Sequence, residues 1–348
     1  MAGERTVTEL ALGSAIQIAY YSTYTSCQPS VAYSPLQDKY LVVYAADSKP
    51  VTPPYSDYDI VGQPVNGDGT VTEAGISINV NINHQRLPAV TYNSAYDEFL
   101  VVWDEEQGIG GWHDIWAQRI NAADWTLEPG PVCIATGDSK HRRQPDAVFN
   151  STRNDYLIAY TWGDSGGIFG KVVDAGLTAP LSITELEFVR NTNFQGDVAL
   201  AAGPDEYLAV WQDGPSSSWR TIYARRLTGA GAMPAPAFLV DEHTNRVCAQ
   251  PDVAYGKGLG YLLTWTYDHP TTMEDVYGRY VTPGGTMHTL NKFFIDIISG
   301  AQINPAVACT PFGDCLFVDS DTGGMPDYEL YGRTVSPHHL FLPRVRGD

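Results

Sequence analysis

The stretch that decides the architecture runs from Gln250 to Val281 and reads "QPDVAYGKGLGYLLTWTYDHPTTMEDVYGRYV". Pro251 opens an alternation of apolar and polar residues that closes at Tyr255. A second alternation starts at Tyr261 and ends on Trp265, and a third runs from Asp275 to Val281. Alternation with period two over a few residues is the signature of a half-buried strand, and the Gly-rich break from Gly256 to Gly260 reads as a tight turn. A looser fourth segment, "NKFFIDI" from Asn291, completes a four-stranded meander.

The same unit recurs along the chain. It appears as "QPSVAYSPLQDKYLVVYAAD" from Gln28, "LPAVTYNSAYDEFLVVWDEE" from Leu87 and "QPDAVFNSTRNDYLIAYTW" from Gln144. "QGDVALAAGPDEYLAVWQDG" from Gln195 and "NPAVACTPFGDCLFVDSD" from Asn304 complete the set. With Pro29, Pro88, Pro145, Gly196, Pro251 and Pro305 as markers, the steps are 59, 57, 51, 55 and 54 residues. Six four-stranded antiparallel units at this period predict an all-β, six-bladed β-propeller, in which radial packing leaves only short sheet edges. Repeats start near 28, 87, 144, 195, 250 and 304. The N-terminal segment, about residues 6–19, resembles the fourth-strand segment "NGDGTVTEAGISINVN" from Asn66. It is expected to complete blade six and so close a single domain over residues 1–348.

The unit resembles the repeats of secreted and surface-attached bacterial propellers with recurring YLVVW…D…DIYGQR segments. The resemblance covers nearly the whole chain and implies an architecture and a place outside the cell. Propellers host lectins, hydrolases, lyases and protein-binding platforms, so function has to be read from a site.

Charge narrows the partners. The formal net charge is -19, which repels nucleic acid and anionic membrane surfaces. No apolar run approaches the roughly 20 residues needed to span a bilayer. The opening "MAGERTVTEL" lacks the apolar core of a secretory signal, so the chain is expected either to have lost one or to be cytosolic. Five cysteines are too few for a disulfide scaffold, and their spacing matches no zinc site. Cys309 and Cys315 stand where other copies place facing aromatics, so a cross-strand disulfide is expected there, which favours an oxidising compartment.

Residues present in most copies read as blade chemistry. Tyr44, Trp103, Tyr160, Trp211 and Trp265 end the second strand and are expected to pack between blades, with sugar stacking as the other reading. Asp59, Asp114, Asp275 and Glu329 precede the third strand and read as turn-capping or as calcium ligands. Arg119, Arg225, Arg279 and Arg333 recur inside the third strand and read as structural. Asp319 breaks the aromatic pattern and, with Asp321, makes a polar notch and a candidate ligand-binding position.

The most unusual break is "HRRQ", His141 to Gln144, a basic run in an acidic chain. In a propeller the links between blades emerge beside the channel on the same face as the loops between second and third strands. Those links hold Arg86, Arg142, Arg143, Arg190 and Arg246 with His84, His141 and His243. Asn191, Asn193, Asn245, Asn304 and Gln302 lie among them, and the loops add His113, His269, Trp112 and Trp219. The alternative for each is local strand capping. As a set they predict a cationic, amide-rich mouth that binds an anionic carbohydrate or other polar ligand, because the planar Arg fork meets two oxygens at once.

Two catalytic alternatives follow. A lyase acting by β-elimination would use Arg142 or Arg143 against the uronate carboxylate, His141 or His84 as base and Tyr24 as acid. A glycoside hydrolase would pair Asp319 with Asp104, Glu105 or Glu106. A protein partner is a further reading, for which the terminal Arg346–Asp348 tripeptide is a weak cue. Calcium or another cation in or near the channel is the cofactor such a fold invites, and no spacing specifies it.

Overall fold

Cross-strand aromatic pairs set the first hairpin in four of the six units, while the fourth unit sets Ala202 against Tyr207. Tyr33 faces Tyr40, Tyr92 faces Phe99, Phe149 faces Tyr156 and Tyr255 faces Tyr261. Their ring centroids lie 4.6, 5.4, 5.3 and 5.2 Å apart. In the sixth unit Cys309 faces Cys315 at the same position, and the two form a disulfide. The structure is a computed structural model that describes residues 26–47, 58–108, 110–137, 139–163, 166–178, 185–216, 219–241, 247–258, 260–269, 273–287, 292–296, 301–310, 315–321 and 329–335.

Every regular element among these residues is a strand, and the strands form six antiparallel meander sheets. The first strands are Ser26–Ser34, Gln85–Asn93, Arg142–Asn150, Phe194–Gly203, Cys248–Gly256 and Gln302–Cys309. Sheets one to five have four described strands and sheet six has three. The expected closing strand, residues 6–19, lies outside the described residues. Each first strand packs against the first strand of the next sheet, from sheet one through to sheet six. The first strands are therefore the inner ones, and the later strands fan outward.

A β-bulge interrupts every inner strand at one register. In sheets two to six its first residue has positive φ: Leu87, Gln144, Asp197, Gln250 and Asn304, at 49 to 53°. Such a φ is uncommon outside glycine and costs roughly 1 kcal/mol or more. In sheet four the bulge falls between Gly196 and Ala199, so Asp197 and Val198 stand where the other sheets have Gln–Pro, Leu–Pro or Asn–Pro. This corrects the marker Gly196, and the repeat near 195 begins at 197. Sequence matching aligned the wrong dipeptide because Gln195 imitates the bulge glutamine.

The core lies between sheets. Trp103, Tyr160, Trp211 and Trp265 are fully buried and Tyr44 nearly so. Trp211, for example, packs with Leu157, Ala159 and Phe188 of the preceding sheet. These aromatics are inter-sheet packing, as expected. Asp319 takes the same position in sheet six and is only 2% exposed. Small residues in the third strand admit fourth-strand side chains: a Cβ on Gly278 would lie 2.9 Å from the Phe293 ring.

The recurring third-strand cations divide into two positions. Arg225 donates to the Phe188 carbonyl, Arg279 to Val240 at 2.7 Å and Lys171 to Ile134 at 2.8 Å, each reaching the preceding sheet. Arg119 aligns instead with Arg226, and these two pair with Glu98 and Glu206 of their own sheets. The acidic residues expected before the third strand, Asp59, Asp114 and Asp275, lie within it instead and are buried.

Candidate functional site

Arg86, on the inner strand of sheet two, stands directly opposite Asp104 on the second strand. Its Nη2 donates to His113 Nε2 at 3.0 Å, and its Nε lies 4.0 Å from Asp104 Oδ1. His113 Nδ1 is 2.7 Å from that same carboxylate oxygen. A guanidinium only donates, so Nε2 is the acceptor and Nδ1 carries the proton given to Asp104. The neighbours thereby assign the tautomer with its proton on Nδ1. Asp104 is fully buried and His113 is 2% exposed. The other carboxylate oxygen accepts the Gln144 backbone N–H at 3.4 Å, tying the pair to sheet three.

Sheet three supplies the second half. The His141 ring lies 5.1 Å from His113 and 5.0 Å from Trp112. Arg143 Nη2 donates to His141 Nδ1 at 3.0 Å. Two guanidinia, Arg86 and Arg143, thus stand at the ends of a His113–His141 contact, beside a Trp112 that is 46% exposed.

Arg142 turns the other way, as strand alternation requires. It is 3% exposed, donates to the Gly137 carbonyl at 2.7 Å and lies 3.4 Å from Glu185. Tyr160 donates to the same Glu185 oxygen at 2.6 Å. The knot therefore sends one cation inward and two groups, His141 and Arg143, toward the cleft with sheet two.

The amides serve carboxylates of the fold. Asn81 and Asn83 donate to Glu105 at 3.1 and 2.9 Å, and Asn191 and Asn193 donate to Asp213 at 3.1 and 2.9 Å. In both, the glutamine two residues on (Gln85, Gln195) donates back to the first Asn. Asn193 is thus part of an Asn-x-Asn-x-Gln clamp. His84 is half-buried, with its ring 6.1 Å from Tyr58. Arg190 pairs with Glu187 at 3.1 Å and lies over the Trp162 ring. Tyr24, His243 and Arg246 fall outside the described residues.

Two adjoining cavities, about 380 and 300 Å³, lie among the bulges and share Asp197 as a lining residue. Pro29, Pro88, Pro145, Pro251 and Pro305 converge on them, which marks the axis of the inner strands. Gln144 donates to Asp197 at 2.9 Å and Gln250 donates to Asn304, so bulge side chains link neighbouring sheets around this space. Asp146 accepts the N–H of Ala147 and, across the sheet boundary, of Leu200 at 2.8 Å each. Asp252 repeats this with Val253 and Val307. Both carboxylates are only partly exposed, and Asp252 lines the larger of the two cavities. Burial pushes Asp146 up to about 7, helped by the charge of Asp252, and pushes Asp252 up to about 6. Among the described residues no group of three or more His, Cys, Asp or Glu is arranged to hold a metal.

Sequence reasoning missed the Asp104–His113 pair and these axial carboxylates. One signal was present: Asp146 and Asp252 break a position that holds Ser30, Ala89, Ala199 and Ala306 in the other sheets.

No family model and no curated protein matches this chain. Solved structures do. A Dyadobacter fermentans protein of unknown function is 10% identical, with 91% of this chain and 96% of that one covered and a TM-score of 0.63. The GH93 α-L-arabinofuranosidase of Fusarium graminearum is 12% identical over 89% and 92%, with a TM-score of 0.59. A Penicillium chrysogenum α-L-arabinanase is 13% identical over 85% and 89%, with a TM-score of 0.57. At these identities the likeness is one of fold, and it places this chain among propeller-type proteins built from radially packed antiparallel sheets.

Proposed function

We propose that this chain recognises an anionic carbohydrate, or another polar anionic ligand, at the cluster of Arg86, His113, His141, Arg143 and Trp112. The observation that carries the reading is the pair of guanidinia held at the two ends of the His113–His141 contact. Each Arg offers a planar fork matched to a carboxylate or sulfate, and the Trp112 ring offers an apolar face to a sugar. Arg142 acts as a support for this rim. The full architecture in this reading is a six-bladed ring over residues 1–348, closed by residues 6–19. The Cys309–Cys315 disulfide and the acidic surface suit a place outside the cell.

Catalysis at the same cluster is the second reading. It is favoured by the Asp104–His113 hydrogen bond, which fixes the proton on Nδ1 and leaves Nε2 to accept from Arg86, so that this guanidinium is held in place to stabilise developing negative charge. Two of the structures of similar fold are, by name, an α-L-arabinofuranosidase and an α-L-arabinanase. Calorimetry against uronate, sialylated, sulfated and neutral glycans tests recognition. Binding to acidic glycans that is lost in Arg86→Gln and Arg143→Gln supports it, and a preference for neutral glycans overturns it. Following the same mixtures for reducing ends and for the ultraviolet absorbance of unsaturated uronate separates a hydrolase or lyase from a binding module. Silence in every arm would leave a protein partner as the reading to pursue.

A further inference from the structure

We infer that the ligand is an oligomer, and that Lys140 and Arg190, mounted on Trp162, form a second anion subsite beside the first. This rests on the proposed recognition of anionic carbohydrate at the Arg86–Arg143 cluster. Lys140 Nζ lies 4.9 Å from the Trp162 ring centroid, and the Arg190 guanidinium carbon lies 4.4 Å from it. The same Arg190 carbon is 4.9 Å from the Phe169 ring, which itself packs 5.2 Å from Trp162. A cation over an aromatic face keeps its outward donors while losing much of its rotamer freedom, so the two charges are held ready for an anion. With two cations over its ring, Trp162 is a mount for charge.

The two subsites are joined covalently and by a hydrogen bond. Lys140 directly precedes His141, and the His141 carbonyl accepts the N–H of Gly163, the neighbour of Trp162, at 2.8 Å. The two groups therefore stand at the same end of sheet three, with Trp162 paired to Arg142 on one side of its inner strand and His141 and Arg143 on the other. Glu187 pairs with Arg190 at 3.1 Å, but the two side chains are 51% and 46% exposed. An exposed pair of this kind is weak and yields to a better-placed carboxylate. A chain that carries acidic residues along its length can meet both groups across that end of the sheet, with the second contact strengthened by tethering.

The test compares galacturonic acid with oligogalacturonates and heparin-derived oligosaccharides of increasing length, by calorimetry on the intact protein. The wild type is expected to bind oligomers on the order of 10²-fold more tightly than the monomer. The Lys140→Gln/Arg190→Gln variant should lose that length dependence, and the salt dependence of oligomer binding should become shallower. Its affinity for the monomer should stay unchanged. Both substitutions are at exposed or half-exposed side chains, and an unchanged thermal midpoint would confirm that the fold is intact. Monomer binding with no gain for oligomers, or a gain that survives in the double variant, would overturn the second subsite alone. Failure of monomer and oligomers alike in the wild type would overturn the first reading and this one with it.

Discussion

His113 donates its Nδ1 proton to Asp104 Oδ1 across 2.7 Å, in a position where neither side chain meets solvent, and this pair underlies Arg86. The carboxylate does three tasks at once. It orients the imidazole, balances the guanidinium 4.0 Å away and accepts the Gln144 N–H of the next sheet. Asp104→Asn removes the charge and keeps the shape, so it should weaken anion binding about tenfold, a change of roughly 1.4 kcal/mol. It should also lower stability by about 1–3 kcal/mol, because a buried acceptor is exchanged for a donor facing donors. Calorimetry and urea unfolding on one preparation check both. An unchanged affinity would show that Arg86 keeps its position without the carboxylate.

Adjacent arginines should part company on mutation. Arg142→Gln breaks a part-buried ion pair with Glu185 and the hydrogen bond to Gly137, and should cost about 1.5–3 kcal/mol in stability. Arg143→Gln should leave stability within about 1 kcal/mol and abolish anion binding. Thermal unfolding alongside calorimetry makes the comparison. A loss of affinity in Arg142→Gln with an unchanged unfolding midpoint would assign Arg142 to the ligand instead.

Asp146 gives the protein a pH-dependent stability whose sign is fixed by its raised pKa. The folded state holds its proton up to about 7, whereas the unfolded chain releases it near the ordinary value of 3.8. Its contribution is therefore full below about pH 4 and is lost as pH rises toward 7, at roughly 1.4 kcal/mol per pH unit. The stability of wild type relative to Asp146→Asn should fall over that window and level off above it. Urea unfolding at several pH values reads the difference directly. A flat difference would mean that the N–H groups of Ala147 and Leu200 hold the carboxylate ionised throughout.

The repeat, the strand order and the inward Trp and Tyr positions were legible because they are properties of period and copy number. Alternation every second residue assigns faces, and six copies show which positions serve the blade. The Cys309–Cys315 disulfide was legible for the same reason, since it replaces one member of an aromatic series. The bulge at Asp197 was not, because a bulge moves the register without changing composition.

Net charge, the repeat and the basic run at His141 were written in the sequence by itself. Which of its side chains reach a ligand was decided only by the tertiary structure. His141 and Arg143 turn outward while Arg142 turns in, and Asn193 and Asn83 are drawn onto the carboxylates of Asp213 and Glu105. The reason is that a charged or amide side chain takes the nearest buried counterpart first, since leaving that counterpart unpaired in a low-dielectric interior costs more than any contact with solvent returns. Those counterparts lie 20 and 22 residues along the chain from the two asparagines, and 43 from Arg142 in the case of Glu185, so only the folded sheets bring them within reach.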